Sequence, residues 1–164
     1  MTFGKQKQST KSLTDEWLTP PHILAVLGQF DLDPCAAVNQ SWPTARRQYT
    51  IEDDGLSQPW SGRVWCNPPY GAKAGAWLKR LGEHGNGVAL IFARTETDMF
   101  FRYVWDKADA LFFLRGRVRF CKPDGRPALN SAGAPSVLVA YGKQNVQTLR
   151  DVGKRLAGRF VQLK

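Results

Sequence analysis

Apolar residues recur along the chain in short runs whose spacing alternates between the periods of helices and strands. A spacing of three or four residues predicts helices over residues 20–27, 74–82, 98–108 and 146–156. Alternating or continuous apolar runs predict strands over residues 30–33, 47–51, 63–66, 87–93, 110–114, 118–120 and 136–141. Because helices separate most of these strands, the pattern predicts an α/β fold with a mostly parallel sheet, helices on both faces and an antiparallel last strand.

The pattern also predicts how the chain is divided. Residues 1–12 are polar and are expected to form a flexible N-terminal arm, whereas residues 13–164 are expected to form one domain, because domains commonly hold ~100 to 200 residues. Between residues 37 and 47 there is little room for a helix, and Pro43 limits it further, so the first strand–helix–strand unit should be truncated.

Composition narrows the class of protein. With 43% hydrophobic residues the chain can build a core, yet it has no run of ~18 apolar residues, so we expect a cytoplasmic protein. Cys35, Cys66 and Cys121 lie far apart and form no Cys-x-x-Cys pair, and the chain has only two histidines. We therefore expect reduced thiols and no metal site.

The charge balance indicates a polyanionic partner. The chain carries 23 Lys and Arg against 14 Asp and Glu, a formal net charge of +9. Several of the basic residues are clustered beside aromatic and glycine-rich segments, which favours nucleic acid over a merely solubilising surface. These residues are Arg46, Arg47, Arg115, Arg117, Arg119 and Lys122.

Three polar segments directly follow predicted strands, at residues 31–37, 52–56 and 67–71. In open α/β sheets, ligands bind beyond the carboxyl ends of the strands, so these segments are the candidate site. The third, Asn67-Pro68-Pro69-Tyr70, suits an exocyclic amine on a nucleobase. The Asn67 side-chain oxygen and the Pro68 carbonyl could accept its N–H groups, and Tyr70 could stack on the ring. The alternative is an ordinary turn after a strand.

A set of motifs in a fixed order carries a family resemblance. The motifs lie at residues 15–21, 30–37, 53–56, 64–71, 92–97, 116–120 and 130–136. Together they resemble the S-adenosylmethionine-dependent, amino-methylating DNA methyltransferases, and specifically the short phage-type DNA N6-adenine methyltransferase family. The resemblance implies a compact, truncated, Rossmann-like class I methyltransferase domain in a phage or prophage protein of a bacterial host.

The resemblance also implies roles for individual residues. It makes Asn67, Pro68, Pro69 and Tyr70 the catalytic motif for the target amine, with Tyr70 stacked on the extruded adenine. It implies that S-adenosylmethionine is bound by the segment Trp17, Thr19 and Pro20, by the turn Asp33, Pro34, Cys35 and Ala36, and by Asp53 or Asp54.

The DNA contacts are expected from the basic residues that follow the later strands. The residues predicted to bind DNA are Arg94, Arg115, Arg117, Arg119, Phe120 and Lys122. For Phe120, packing in the core is the favoured alternative, because aromatic strand residues are mostly buried.

The sequence therefore predicts methyl transfer to the N6 amine of adenine in flipped-out DNA by a monomer or weak dimer. Two alternatives stay open: a protein-glutamine or RNA amino-methyltransferase that uses the same motif, and a non-enzymatic DNA-binding module in which the motif is only a turn.

Overall fold

The structure is a computed structural model that describes residues 16–164, so the predicted arm at residues 1–12 lies outside the described residues. Seven strands and four α-helices follow one another in the described chain. They are α1 (Pro21–Leu27), β1 (Leu32–Asp33), β2 (Arg47–Gln48), β3 (Val64–Cys66), α2 (Ala74–His84), β4 (Gly87–Phe92), α3 (Asp98–Phe100), β5 (Ala110–Leu114), β6 (Ser136–Tyr141), α4 (Lys143–Val152) and β7 (Gly158–Gln162). Residues Phe101–Trp105 continue α3 as a π-helix.

All seven strands form one sheet in the order β2-β1-β3-β4-β6-β5-β7. The pairs among β2, β1, β3 and β4 are parallel, whereas β6 is antiparallel to both β4 and β5, and β7 is antiparallel to β5. Five of the strands, β1 to β5, therefore run in one direction. The carboxyl ends of β1 to β4 meet at one edge of the sheet.

Helices cover both faces of this mixed α/β sheet. On one face, α1 and α4 pack over a cluster that includes Trp65 and Phe112, and on the other face α2 and the π-helix pack over Val64 and Cys66. Successive residues of β3 thus point to opposite cores, as the period of two of a strand requires. The predicted arrangement of helices on both faces is confirmed.

A buried arginine ties the two helices of the first face together. The Arg63 guanidinium donates to the Asn145 Oδ1 atom at 2.7 Å and to the carbonyls of Leu27 and Gln29 at 2.9 Å each. It also lies 4.2 Å from the centre of the Phe30 ring. Because these oxygens accept from the guanidinium of a residue that is only 7% exposed, Arg63 holds α1, α4 and the start of β3 in one arrangement.

Several predicted elements have different bounds in the structure. Residues 115–120 form no strand, so the predicted strand over 118–120 is wrong, and Cys121 makes only isolated bridges to Leu18 and Pro127. The predicted strand over 47–51 is cut to Arg47–Gln48. No helix lies between β1 and β2, which confirms the truncation expected there.

The C-terminal part departs from the prediction more strongly. Helix α4 begins at Lys143 and ends at Val152, earlier than the predicted 146–156, because Gly142 at φ 91° starts the turn. The helix expected over 98–108 divides into α3 and the π-helix, and the Thr97 side chain caps α3 by accepting from the Phe100 N–H. Strand β7 was not predicted from the sequence.

No helix within residues 16–164 is both long and apolar enough to cross a membrane. Among the same residues, no group of three or more His, Cys, Asp or Glu side chains is close enough to hold a metal ion.

Candidate active site

The three predicted segments come together where β1, β2 and β3 end. The Ala36 N–H donates to the Tyr49 carbonyl at 2.8 Å, which joins the turn after β1 to the segment after β2. A Cβ added to Gly55 would lie 1.8 Å from the Pro34 carbonyl oxygen. Glycine at position 55 therefore allows the acidic segment to lie directly against the Asp-Pro turn.

Asp33 holds the turn that follows β1. Its side chain is 3% exposed; Oδ1 accepts from the Cys35 N–H at 3.0 Å, and Oδ2 accepts from the Thr44 hydroxyl. Burial raises the pKa of Asp33 to about 6, although the hydrogen bonds from Thr44 and Cys35 oppose the shift. The carboxylate thus faces its own turn and the β1–β2 connection, where it fixes the backbone shape.

The two acidic residues after β2 differ in what they contact. The Asp53 carboxylate closes a local turn, because its Oδ2 accepts from the Thr50 N–H at 2.8 Å and from the Thr50 hydroxyl at 3.1 Å. Asp54 is exposed and has a φ of 50°; the Ser57 hydroxyl donates to its backbone carbonyl at 2.9 Å, whereas its carboxylate accepts no hydrogen bond from a described residue. The Asp54 carboxylate therefore has both oxygens without a described partner, and the Asp53 carboxylate has only Oδ1.

The amide of Asn67 has a fixed orientation. Its Nδ2 atom donates to the Trp17 carbonyl at 3.0 Å, so Oδ1 is the atom left as acceptor. The Tyr70 hydroxyl is 3.4 Å from Oδ1, which is a weak hydrogen bond. No described backbone N–H bonds the carbonyl of Pro68, a residue that is buried. Two acceptors with unused capacity therefore follow β3 directly.

The ring of Tyr70 sits in an aromatic cluster. Phe92, the last residue of β4, stacks on it with ring centres 4.0 Å apart and planes 5° apart, and Phe120 meets it edge to face at 5.9 Å. Burial raises the pKa of Tyr70 above its ordinary value, so its hydroxyl stays protonated. Because Phe92 covers one face of Tyr70, a flat ligand can stack only on the opposite face while Phe92 stays in place.

The segment before α1 crosses the ends of the strands. Trp17 contacts Asn67 through its carbonyl, and Leu18 exchanges two backbone hydrogen bonds with Cys121, at 2.8 and 2.9 Å. The next residue, Thr19, is 1% exposed, and its hydroxyl has no partner among the described residues. A buried polar atom without a partner is rare in folded proteins, so this hydroxyl is a candidate ligand contact.

Two of the three free cysteines meet inside the site. The sulfur atoms of Cys35 and Cys66 are 3.7 Å apart, and all three cysteines are thiols. The hydrogen bond with Cys66 and burial raise the pKa of Cys35, while a backbone hydrogen bond from Asn67 lowers it in part. The predicted reduced thiols thus link the Asp-Pro turn to the strand that carries Asn67.

The residues predicted to bind DNA lie at the surface, with one exception. Arg94, Arg115, Arg117 and Arg119 are exposed, and Lys122 is half-buried. Phe120 is 5% exposed and belongs to the core, which fits the packing alternative. A groove of about 680 Å³ lies beside the motif, between the start of α2 and the π-helix, and includes Gly71, Gly75, Met99 and Tyr103.

Sequence reasoning gave Phe92 no role in the site, although Phe92 begins the motif at residues 92–97, and it missed Thr44 altogether. Phe92 belongs to a continuous apolar strand and looked like an ordinary core residue; its position at the end of the strand next to β3 was the signal that could have identified it. Thr44 lies in an irregular connection, 11 residues from Asp33. No pattern in the sequence predicts the contact between the two residues.

Comparison with known proteins supplies the class of this site. A family model described as DNA N-6-adenine-methyltransferase (Dam) matches residues 6–155, which is most of the chain. Neither the curated proteins nor the solved structures give a significant match. The family match makes the protein a methyltransferase. The chain belongs to the DNA N-6-adenine-methyltransferase family, whose activity is methylation of the N6 amine of adenine in DNA, and nothing found supports the protein, RNA or non-enzymatic alternatives.

Proposed function

We propose that this protein transfers the methyl group of S-adenosylmethionine to the N6 amine of an adenine rotated out of duplex DNA. The observation that carries the proposal is the fixed amide of Asn67, whose Nδ2 atom is bound to the Trp17 carbonyl and whose Oδ1 atom is left to accept. Family membership supports the target, and the strand-end position supports the site.

Asn67 and Pro68 act on the amine of the target. An exocyclic amine on a purine is conjugated with the ring, so its nitrogen is a poor nucleophile. When Asn67 Oδ1 and the Pro68 carbonyl accept its two N–H groups, the nitrogen becomes more tetrahedral and its lone pair is exposed. Pro68 and Pro69 hold the carbonyl in place without adding an unsatisfied N–H. The nitrogen lone pair would then bond to the methyl carbon as the bond from that carbon to the sulfonium breaks, which leaves a neutral thioether. The excess proton on the methylated nitrogen then leaves to solvent, so no histidine or cysteine base is needed.

Tyr70 holds the base, and Phe92 supports Tyr70. The stacked Phe92 ring fixes one face of Tyr70 and leaves the opposite face for the adenine. Stacking of a base on an aromatic side chain contributes about 1 to 3 kcal/mol. The aromatic cluster therefore fixes the plane of the base relative to Asn67.

The residues present fit S-adenosylmethionine. The Thr19 hydroxyl is buried without a partner, the exposed Asp54 carboxylate can accept from ribose hydroxyls or an amine, and Gly55 brings the acidic segment onto the Asp-Pro turn. Bound there, the cofactor supplies an electrophilic methyl group on a sulfonium. Trp17, Pro20, Pro34 and Ala36 shape the walls, while Asp33 and Cys35 keep the turn in position.

The sheet topology supports a truncated, Rossmann-like class I methyltransferase fold for residues 13–164, with β6 as the antiparallel strand inserted between β4 and β5. DNA is the substrate, with phosphate contacts from Arg94, Arg115, Arg117, Arg119 and Lys122. The protein works as a monomer or weak dimer in the cytoplasm of a bacterial host, as a phage or prophage product.

The test is methyl transfer from tritium-labelled S-adenosylmethionine to DNA, RNA and ribosomal protein in parallel. The proposal predicts label in DNA alone, and N6-methyladenine after digestion to nucleosides. Label in RNA or protein with none in DNA would contradict DNA as the substrate and would identify the labelled molecule as the substrate instead. Absence of S-adenosylmethionine binding at micromolar concentrations in calorimetry would contradict an enzymatic function.

A further inference from the structure

Leu129 exposes more of its surface than any other large apolar side chain among residues 16–164. It is 87% exposed, against 83% for Ile51 and 53% for Phe101. Burying a leucine or isoleucine side chain fully contributes about 1.5 to 3 kcal/mol of free energy relative to leaving it in water. An exposed side chain of this kind can therefore gain that free energy by contacting a partner. Of the three, only Leu129 lies in the basic loop between β5 and β6.

Backbone hydrogen bonds on both sides of Leu129 fix the loop that carries it. The Ala128 N–H donates to the Phe120 carbonyl at 2.8 Å, and the Ala132 N–H donates to the Val118 carbonyl at 2.7 Å. These two bonds leave a three-residue tip, Leu129-Asn130-Ser131, that projects from a hairpin-like base. On its far side the loop is held by Ser41, whose hydroxyl donates to the Pro123 carbonyl at 2.8 Å.

Two arginines bracket the tip. Arg119 Nε donates to the Ala128 carbonyl at 2.7 Å, and Arg117 Nη1 donates to the Ala132 carbonyl at 3.2 Å. Each exposed guanidinium thus stands at one end of the tip with most of its N–H groups unused. Residues 115–135 carry five Lys or Arg and one Asp, and that Asp124 is paired with Arg126 at 2.6 Å. The surroundings of the exposed leucine therefore attract phosphate.

The base of the tip is continuous with the candidate active site. Phe120, whose carbonyl anchors Ala128, places its ring edge to face with Tyr70 at 5.9 Å. The backbone bond from Ala128 to Phe120 thus connects the tip, which begins at Leu129, to a ring that contacts Tyr70. Tyr70 is the residue proposed to hold the base. Proteins that unstack DNA commonly insert an apolar side chain between bases while arginines grip the flanking phosphates.

We propose that Leu129 inserts into the base stack at the position that the target adenine leaves, with Arg117 and Arg119 on the flanking phosphates. The inference rests on the proposed function, because it concerns how that adenine reaches Tyr70. Leu129 would not touch the amine or the cofactor. It is a positioning residue that keeps the gap in the duplex from closing over the extruded base.

The test compares Leu129→Ala with wild type on two substrates. One is a DNA duplex that the wild-type protein methylates; the other is the same duplex with an abasic position opposite the target adenine, where extrusion costs less. We expect Leu129→Ala to lower kcat/KM about tenfold or more on the paired duplex and less than about twofold on the abasic one. Leu129→Met, which keeps an apolar side chain of similar volume, should retain most of the wild-type rate on the paired duplex.

The matched control is Phe101→Ala, which removes an exposed apolar side chain from the π-helix on the other face of the sheet and should leave both rates unchanged. A second readout is the fluorescence of 2-aminopurine at the target position, whose increase on binding should fall in Leu129→Ala. Equal losses on both substrates, or no loss on either, would overturn the proposal. If no DNA duplex can be found that the wild-type protein methylates, the proposed function itself fails.

Discussion

The Asp33 carboxylate is buried at the end of β1, where it accepts hydrogen bonds from the Cys35 N–H and the Thr44 hydroxyl. The sequence did not indicate that the carboxylate is buried, because that depends on Thr44 in the irregular β1–β2 connection. Burial is what raises the pKa of Asp33 to about 6.

The raised pKa has a consequence for stability. Between pH 3.8, the ordinary pKa of the group, and about 6, the folded protein binds more protons at Asp33 than the unfolded chain does. The contribution of Asp33 is therefore full below pH 3.8 and is lost as the pH rises through about 6, a total of roughly 3 kcal/mol.

Asp33→Asn removes this titration and should raise the free energy of unfolding by about 1 to 3 kcal/mol relative to wild type at pH 7, with little gain at pH 4. Urea unfolding at several pH values between 4 and 7 measures the difference, and background titration cancels between the two proteins. Parallel curves for the two proteins would contradict a raised pKa.

At the scale of elements, continuous apolar strands were predictable and marginal ones were not. Strands β5 and β6 have the predicted bounds, since each is a buried run between turn residues. Val118 and Phe120 alternate as a strand does and are 7% and 5% exposed, yet their backbones bond only to the returning loop. Periodicity reports which side chains are buried, whereas a strand also needs a partner.

Strand β7 was missed for the opposite reason. It pairs with β5 along five residues at the edge of the sheet, but its side chains are exposed or half-buried. An edge strand of this kind lacks the apolar run from which a strand is predicted. The π-helix after α3 was equally hidden, because its apolar spacing also fits an α-helix over residues 98–108.

The contact between the acidic segment after β2 and the Asp-Pro turn after β1 gives a prediction about these connections. In Gly55→Ala, the new Cβ would collide with the Pro34 carbonyl, so the acidic segment must move away from the Asp-Pro turn. We expect S-adenosylmethionine affinity to fall at least about tenfold, because groups held by both loops no longer converge. Calorimetry measures this. The control is Gly133→Ala, where an added Cβ meets nothing within 4 Å. Unchanged affinity in Gly55→Ala would remove this loop from the cofactor site.

For the whole molecule, the charge and the α/β alternation were readable from the sequence, and so was the meeting of strand ends that makes the site. The stacking of Phe92 on Tyr70 and the bond from Asn67 to Trp17 were not, because they join residues on different elements through side-chain direction. Which residue covers one face of the Tyr70 ring is therefore a structural result.

The net charge of +9 predicts strongly salt-dependent DNA binding. Arg119→Ala should weaken binding and reduce the slope of log K against log salt by about 1, because one phosphate contact is lost. Arg150→Ala is the control, since Arg150 is an exposed residue in the last turn of α4, bonds the Gln162 side chain and lies outside the basic clusters predicted to bind nucleic acid. Equal slopes for wild type and Arg119→Ala would place the DNA elsewhere on the surface.

The most direct test of the central claim is Asn67→Ala, assayed for S-adenosylmethionine binding by calorimetry and for N6-methyladenine in DNA by mass spectrometry. The account predicts near-normal cofactor binding and a loss of methyl transfer of about 100-fold or more, because the amine loses the acceptor that orients it. Methylation at the wild-type rate by a variant that binds the cofactor normally would contradict the role given to Asn67.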